Sequence, residues 1–118
     1  MLRTLAGLGM ILALAAPAAA DNFQRIEERE RFLAVVEDRD LTRFAITVKV
    51  TGEGDIVGRA FGRNVTGDWE WRSGYFCRSI LWGERDIGDN CQKVEVRDGT
   101  VRFTSDFGTG QFADLKIN

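Results

Sequence analysis

The chain has 118 residues, 44% hydrophobic and 29% charged, with 16 Lys and Arg against 18 Asp and Glu for a formal charge of −2. That length fits one domain around one core, and the well-mixed signs, with no basic stripe or acidic tail, argue against nucleic acid and anionic membrane surfaces as partners. Histidine is absent, which removes Ser-His-Asp and Cys-His nucleophilic sites and imidazole metal ligands.

Residues 1–20 read as a secretory signal peptide. Arg3 supplies the positive start, residues 5–16 the apolar run, Pro17 the break, and Ala18-Ala19-Ala20 the small side chains that a signal peptidase accepts. The run is shorter than the ~20 residues a membrane span needs. A mature domain of residues 21–118 is therefore expected in the bacterial periplasm or the medium, with no membrane insertion after cleavage. Loss of Arg3 leaves 15 basic against 18 acidic residues, or −3.

Residues 21–38 lack Gly and Pro and place Ile26, Leu33 and Val36 at helical spacing, with Asp21 or Asn22 as a cap. They predict an N-terminal helix. From Phe44 the period becomes alternating: Phe44, Ile46, Val48 and Val50 share a strand face, residues 52–55 turn, residues 56–61 return, and residues 62–64 turn again. Gly58 weakens the returning strand. Further along, Asp98-Gly99 fits a two-residue hairpin turn, which sets Arg97 opposite Thr100, Val96 opposite Val101 and Val94 opposite Phe103. After Gly108-Thr109-Gly110 a last strand carries Ala113, Leu115 and Ile117 on one side. The expected class is α+β, an N-terminal helix followed by a twisted antiparallel sheet or partly closed barrel of about seven strands.

Cys77 and Cys91 are the only cysteines. A lone pair in a small exported domain is most simply a disulfide, since a redox pair needs closer C-x-x-C spacing and zinc needs more ligands. Around them lie all three tryptophans and the one tyrosine. Trp69 and Trp71 share a strand face, and Phe76, Arg78 and Ile80 share another. These rings could simply fill a core beside the disulfide. The other reading is a ligand site walled by Trp69, Trp71, Tyr75, Trp82 and Arg78, in which the guanidinium takes a carboxylate or phosphate.

The motifs Gly67-Asp68-Trp69-Glu70-Trp71, Gly74-Tyr75-Phe76-Cys77-Arg78 and Asn90-Cys91-Gln92 resemble those of small exported bacterial proteins of unknown function, some of them labelled dihydrodipicolinate reductase. The chain lacks the nucleotide-binding glycine loop and the two-domain length that such a reductase requires. The resemblance implies no catalytic residue and no cofactor. The expected function is a non-enzymatic module that binds a small ligand or an envelope partner through its aromatic face. The alternatives are a carboxylate-dependent hydrolase of envelope sugars or peptides using Glu70 and Asp86, and a structural envelope protein with no ligand.

Overall fold

The computed structural model describes residues 22–118; the expected signal peptide and Asp21 lie outside the described residues. Nine strands form, β1 (Gln24–Ile26), β2 (Leu41–Arg43), β3 (Ile46–Val50), β4 (Asp55–Ala60), β5 (Arg63–Arg72), β6 (Tyr75–Trp82), β7 (Arg85–Arg97), β8 (Thr100–Thr104) and β9 (Phe112–Ile117). A helix, α1 (Arg29–Val36), follows β1, and a helical turn, α2 (Ser105–Gly108), follows β8.

Very short turns dictate the path. Phe44-Ala45, Phe61-Gly62, Ser73-Gly74, Gly83-Glu84 and Asp98-Gly99 each separate directly paired strand ends. Phe61-Gly62, Ser73-Gly74 and Asp98-Gly99 have positive φ at both residues, the backbone of the hairpin turn whose twist matches that of its strands. The register around Asp98-Gly99 is Arg97 to Thr100, Val96 to Val101 and Val94 to Phe103, as its turn chemistry predicts.

Strands β2 to β9 follow one another as an antiparallel meander, and β9 pairs with β2, so eight strands close into a barrel. The thirteen-residue β7 holds the closure together. Its first part pairs with β6 and its last part, Lys93 to Arg97, pairs with β8. Beyond the last β6 pair, Phe76 with Gln92, residues Val94 to Val96 instead take β1 on that edge. Closure gives each of the eight barrel strands a partner on both sides along part of its length, while β1 remains an edge strand paired only with β7.

This corrects the expected α+β class. No helix opens the domain: residues 24–26 are strand, the helix is only eight residues long, and its N-cap, Glu28, makes no side-chain cap bond. An isolated helix that short is marginal. It persists here because Phe32 and Val36, one turn apart, are fully buried, so tertiary packing outweighs local propensity. Residues 24–26 find partners some 70 residues away on β7, a pairing that helical spacing cannot reveal. The expected strand beginning at Phe44 is likewise a turn at Phe44-Ala45 between β2 and β3, and the sheet is a complete barrel of eight strands rather than seven in a partly closed one.

One end of the barrel is packed solid. The Phe32 ring lies 5.5 Å from Trp69, 5.0 Å from Trp71, 5.1 Å from Phe76 and 6.3 Å from Phe103. Ile26, Val36, Leu41, Val94 and Val101, all fully buried, complete this cluster. The plugged end therefore holds most of the core.

Cys77 and Cys91 stand directly opposite on β6 and β7 and are disulfide-bonded. Such a bond is compatible with an oxidising, exported location. Closing a loop of 14 residues stabilises the fold by about 3 kcal/mol in the chain-entropy model. The Cys77→Ser/Cys91→Ser variant is expected to melt roughly 10–25 °C lower than the parent. Calorimetry checks this, and reduction of the parent should match the variant.

Candidate functional site

Alternation along β5 and β6 decides what the barrel encloses. Val65, Gly67, Trp69 and Trp71 lie in register with Trp82, Ile80, Arg78 and Phe76, and all eight lie on the inner face, because Trp71 and Phe76 meet Phe32 there. The disulfide, one residue out of phase, is on the outer face.

The end opposite the helix is hollow. A cavity of about 560 Å³ is lined by Ile46, Val48, Ile80, Phe103 and Leu115 among others, and an apolar hollow of about 380 Å³ adjoins it between Val48, Phe61, Ile80 and Trp82. The larger space falls within the usual range for small-molecule sites. Phe76 and Phe103 line its wall and also touch Phe32, so the plug serves as its floor. An eight-stranded barrel is just wide enough for such a space.

Polar groups enter this apolar wall at few points. Arg78 projects from the middle of β6, half-buried, and one of its terminal nitrogens donates to the Gly88 carbonyl at 2.9 Å. Burial lowers its pKa from the usual guanidinium value, opposed by the charge of Asp89. Among the described residues it makes no ion pair. A guanidinium has five N–H donors in a planar fork, and the Gly88 carbonyl accepts one of them. Arg43, Gln92, Ser105 and Gln111 complete the polar lining.

Beyond the Lys93–Thr104 pair, β8 leaves the edge of β7, and α2 covers the gap. The Asn90 amide nitrogen donates to Asp106 Oδ1 at 2.9 Å, and the Asp106 backbone N–H donates back to Asn90 Oδ1 at 2.9 Å. Gln92 donates to the Ser105 hydroxyl at 3.3 Å. Asp106 and Phe107 both have left-handed backbones, a local strain held by these bonds.

The aromatic site residues suggested by the sequence separate into three places. Trp69 and Trp71 belong to the plugged end, where their indole N–H groups donate to the carbonyls of Thr51 at 3.0 Å and Glu27 at 2.9 Å. Tyr75 packs edge-on against Phe107, 5.0 Å away, with the Arg25 guanidinium over its ring. Only Trp82 and Arg78 line the hollow end, with the Trp82 indole N–H bonded to the Ala60 carbonyl at 2.7 Å. Sequence reasoning missed Ile46, Val48, Gln92 and Ile87 as lining residues; the alternation of β3 could have supplied the first two.

The two proposed catalytic carboxylates do not converge. Glu70 pairs with Arg72 at 2.5 Å, and Asp86 accepts the Gly88 backbone N–H at 2.8 Å. Their register positions, opposite Cys77 and Leu81 of β6, put them about 13 Å apart along the strands, with β6 between. Paired glycosidase carboxylates need separations of about 5–10 Å.

No family model, curated protein or solved structure matches this chain.

Proposed function

We propose that this protein is a non-enzymatic binding module of the bacterial periplasm or medium that holds a small, largely apolar acid inside its barrel. The observation that carries this reading is Arg78, a half-buried guanidinium in the wall of a largely apolar cavity, which feels the charge of Asp89 but among the described residues makes no ion pair. A cation in such a place is costly unless an anion or further hydrogen bonds join it. A carboxylate would take two N–H groups of the fork side by side, while its hydrocarbon body would fill the space between Val48, Ile80 and Leu115. The disulfide and the apolar leader of residues 1–20 support the exported address.

Binding of a dansyl-labelled undecanoic acid and of its methyl ester, followed by fluorescence, tests this. The acid is expected to bind at least about tenfold tighter than the ester. Arg78→Met should remove that preference while leaving ester binding in place, and Ile80→Trp should block both by filling the cavity. Failure of the parent to bind either probe would overturn the reading in favour of a structural envelope protein.

A further inference from the structure

The hollow end of the barrel carries a surface that the whole-chain composition conceals. The tips of the β2–β3 and β4–β5 hairpins lie side by side, because Ile46 pairs with Ala60 and the Phe61 N–H donates to the Ala45 carbonyl at 2.8 Å. Phe44 and Phe61 stand at these tips, 86% and 61% exposed, with ring centroids 6.4 Å apart. Arg43, Arg59 and Arg63 flank them, and no acidic residue occurs in residues 41–52 or 56–67. Glu84, at the neighbouring β6–β7 tip, has Arg85 beside it. The chain interleaves its charges along the sequence; the fold sorts them.

The backbone adds a second, independent observation. Phe61 has φ of +50° and Gly62 +82°, a turn whose first position suits Asn or Asp and strains a bulky side chain. Folding stability thus argues against phenylalanine here, and so does solubility. A strained aromatic facing solvent points to a role outside the fold.

We infer that these paired hairpin tips dock the hollow end of the barrel onto an anionic lipid surface, Phe44 and Phe61 entering the interfacial region and Arg43, Arg59 and Arg63 meeting the headgroups. Charge decides for lipid over an apolar protein partner or a second copy, because two like tips would bring their arginines together. Among the described residues none of the three arginines makes an ion pair, although the charge of Asp114 on β9 reaches Arg43. Arg59 bonds the Asn64 side chain and the Gly62 carbonyl, and Arg63 lies over the Trp82 ring. Both interactions leave the positive charge uncompensated. Arg43 and Phe61 also line the interior spaces, so docking would set their mouth against the membrane. The inference stands whether or not the cavity takes a ligand.

Co-sedimentation of the protein, recovered in solution after export and tested without fatty acid, decides it. Binding is expected to vesicles of equal parts phosphatidylglycerol and phosphatidylethanolamine, and not to phosphatidylcholine alone. Phe44→Ser and Phe61→Asn should each weaken the partition about tenfold, and replacing Arg43, Arg59 and Arg63 by Gln should cost about fivefold per charge. Phe61→Asn should also raise the melting temperature, since Asn suits the turn, so loss of binding cannot be a failure to fold. The inference is overturned if the parent ignores anionic vesicles or if Phe61→Asn binds them like the parent. It is equally overturned if the phenylalanine variants abolish a dimer in solution and leave vesicle binding unchanged.

Discussion

Phe32→Ala is expected to destabilise the protein by about 3–5 kcal/mol, the usual cost of truncating a buried aromatic, and to lower its melting temperature by roughly 15–30 °C. The size follows from position. Phe32 has no solvent exposure and meets the rings of Trp69, Trp71, Phe76 and Phe103, so truncation leaves a void and removes several aromatic pairs. Helix α1 cannot compensate, because eight residues have little helical stability of their own. The loss would be a large share of the roughly 5–15 kcal/mol available to a domain. Phe32→Leu, which keeps most of the volume, should cost clearly less. Denaturant titration of both variants is the measurement, and a Phe32→Ala protein melting within a few degrees of the parent would show that the helix is a cover rather than a plug.

The same ring shows what the sequence could and could not disclose. Alternation around Cys77 correctly placed Trp69 with Trp71, and Arg78 with Phe76 and Ile80, because strand period depends only on neighbouring residues. It could not disclose that both groups face the same interior, nor that Phe32 covers Trp69 and Trp71 while Arg78, directly opposite Trp69, borders the cavity. Those facts depend on contacts between distant parts of the chain, the closure of β9 on β2 and the seating of Phe32. Ile26, Leu33 and Val36 were misleading in the opposite way. Their spacing suits a helix, yet Ile26 belongs to a strand whose partner is Val94. Asp98-Gly99 was legible because its chemistry is local. Phe61-Gly62 forms the same turn with a residue that turn chemistry disfavours, so the turn expected at residues 62–64 begins one residue earlier. Such a departure from local preference is expected where a residue serves something other than stability.

Gly58→Ala and Gly67→Ala are each expected to cost at least about 3 kcal/mol, at the upper end for overpacking, although Gly→Ala at an ordinary backbone conformation usually stabilises by about 0.4–1 kcal/mol. The reversal of sign is the informative part. Neither glycine has positive φ; their constraint is space. A Cβ on Gly58 would lie 2.1 Å from the Thr47 carbonyl oxygen and 2.7 Å from the Val48 Cα, and one on Gly67 would lie 2.2 Å from the Ser79 carbonyl oxygen. These are backbone atoms of the paired strands, so the β3–β4 or β5–β6 ladder itself must move. Glycine at these positions lets the sheet coil tightly enough to close, which reverses the reading of Gly58 as a weak point. Gly52→Ala is the control, because its nearest contact is the flexible end of Glu37, at 2.4 Å; it should change stability little. Val48 and Ile80, the cross-strand partners of Gly58 and Gly67, both line the cavity. The substitutions should therefore impair acid-probe binding as well as melting, with Gly52→Ala sparing both. Near-parental melting of Gly58→Ala and Gly67→Ala would mean that these ladders yield easily and that closure of the barrel rests elsewhere.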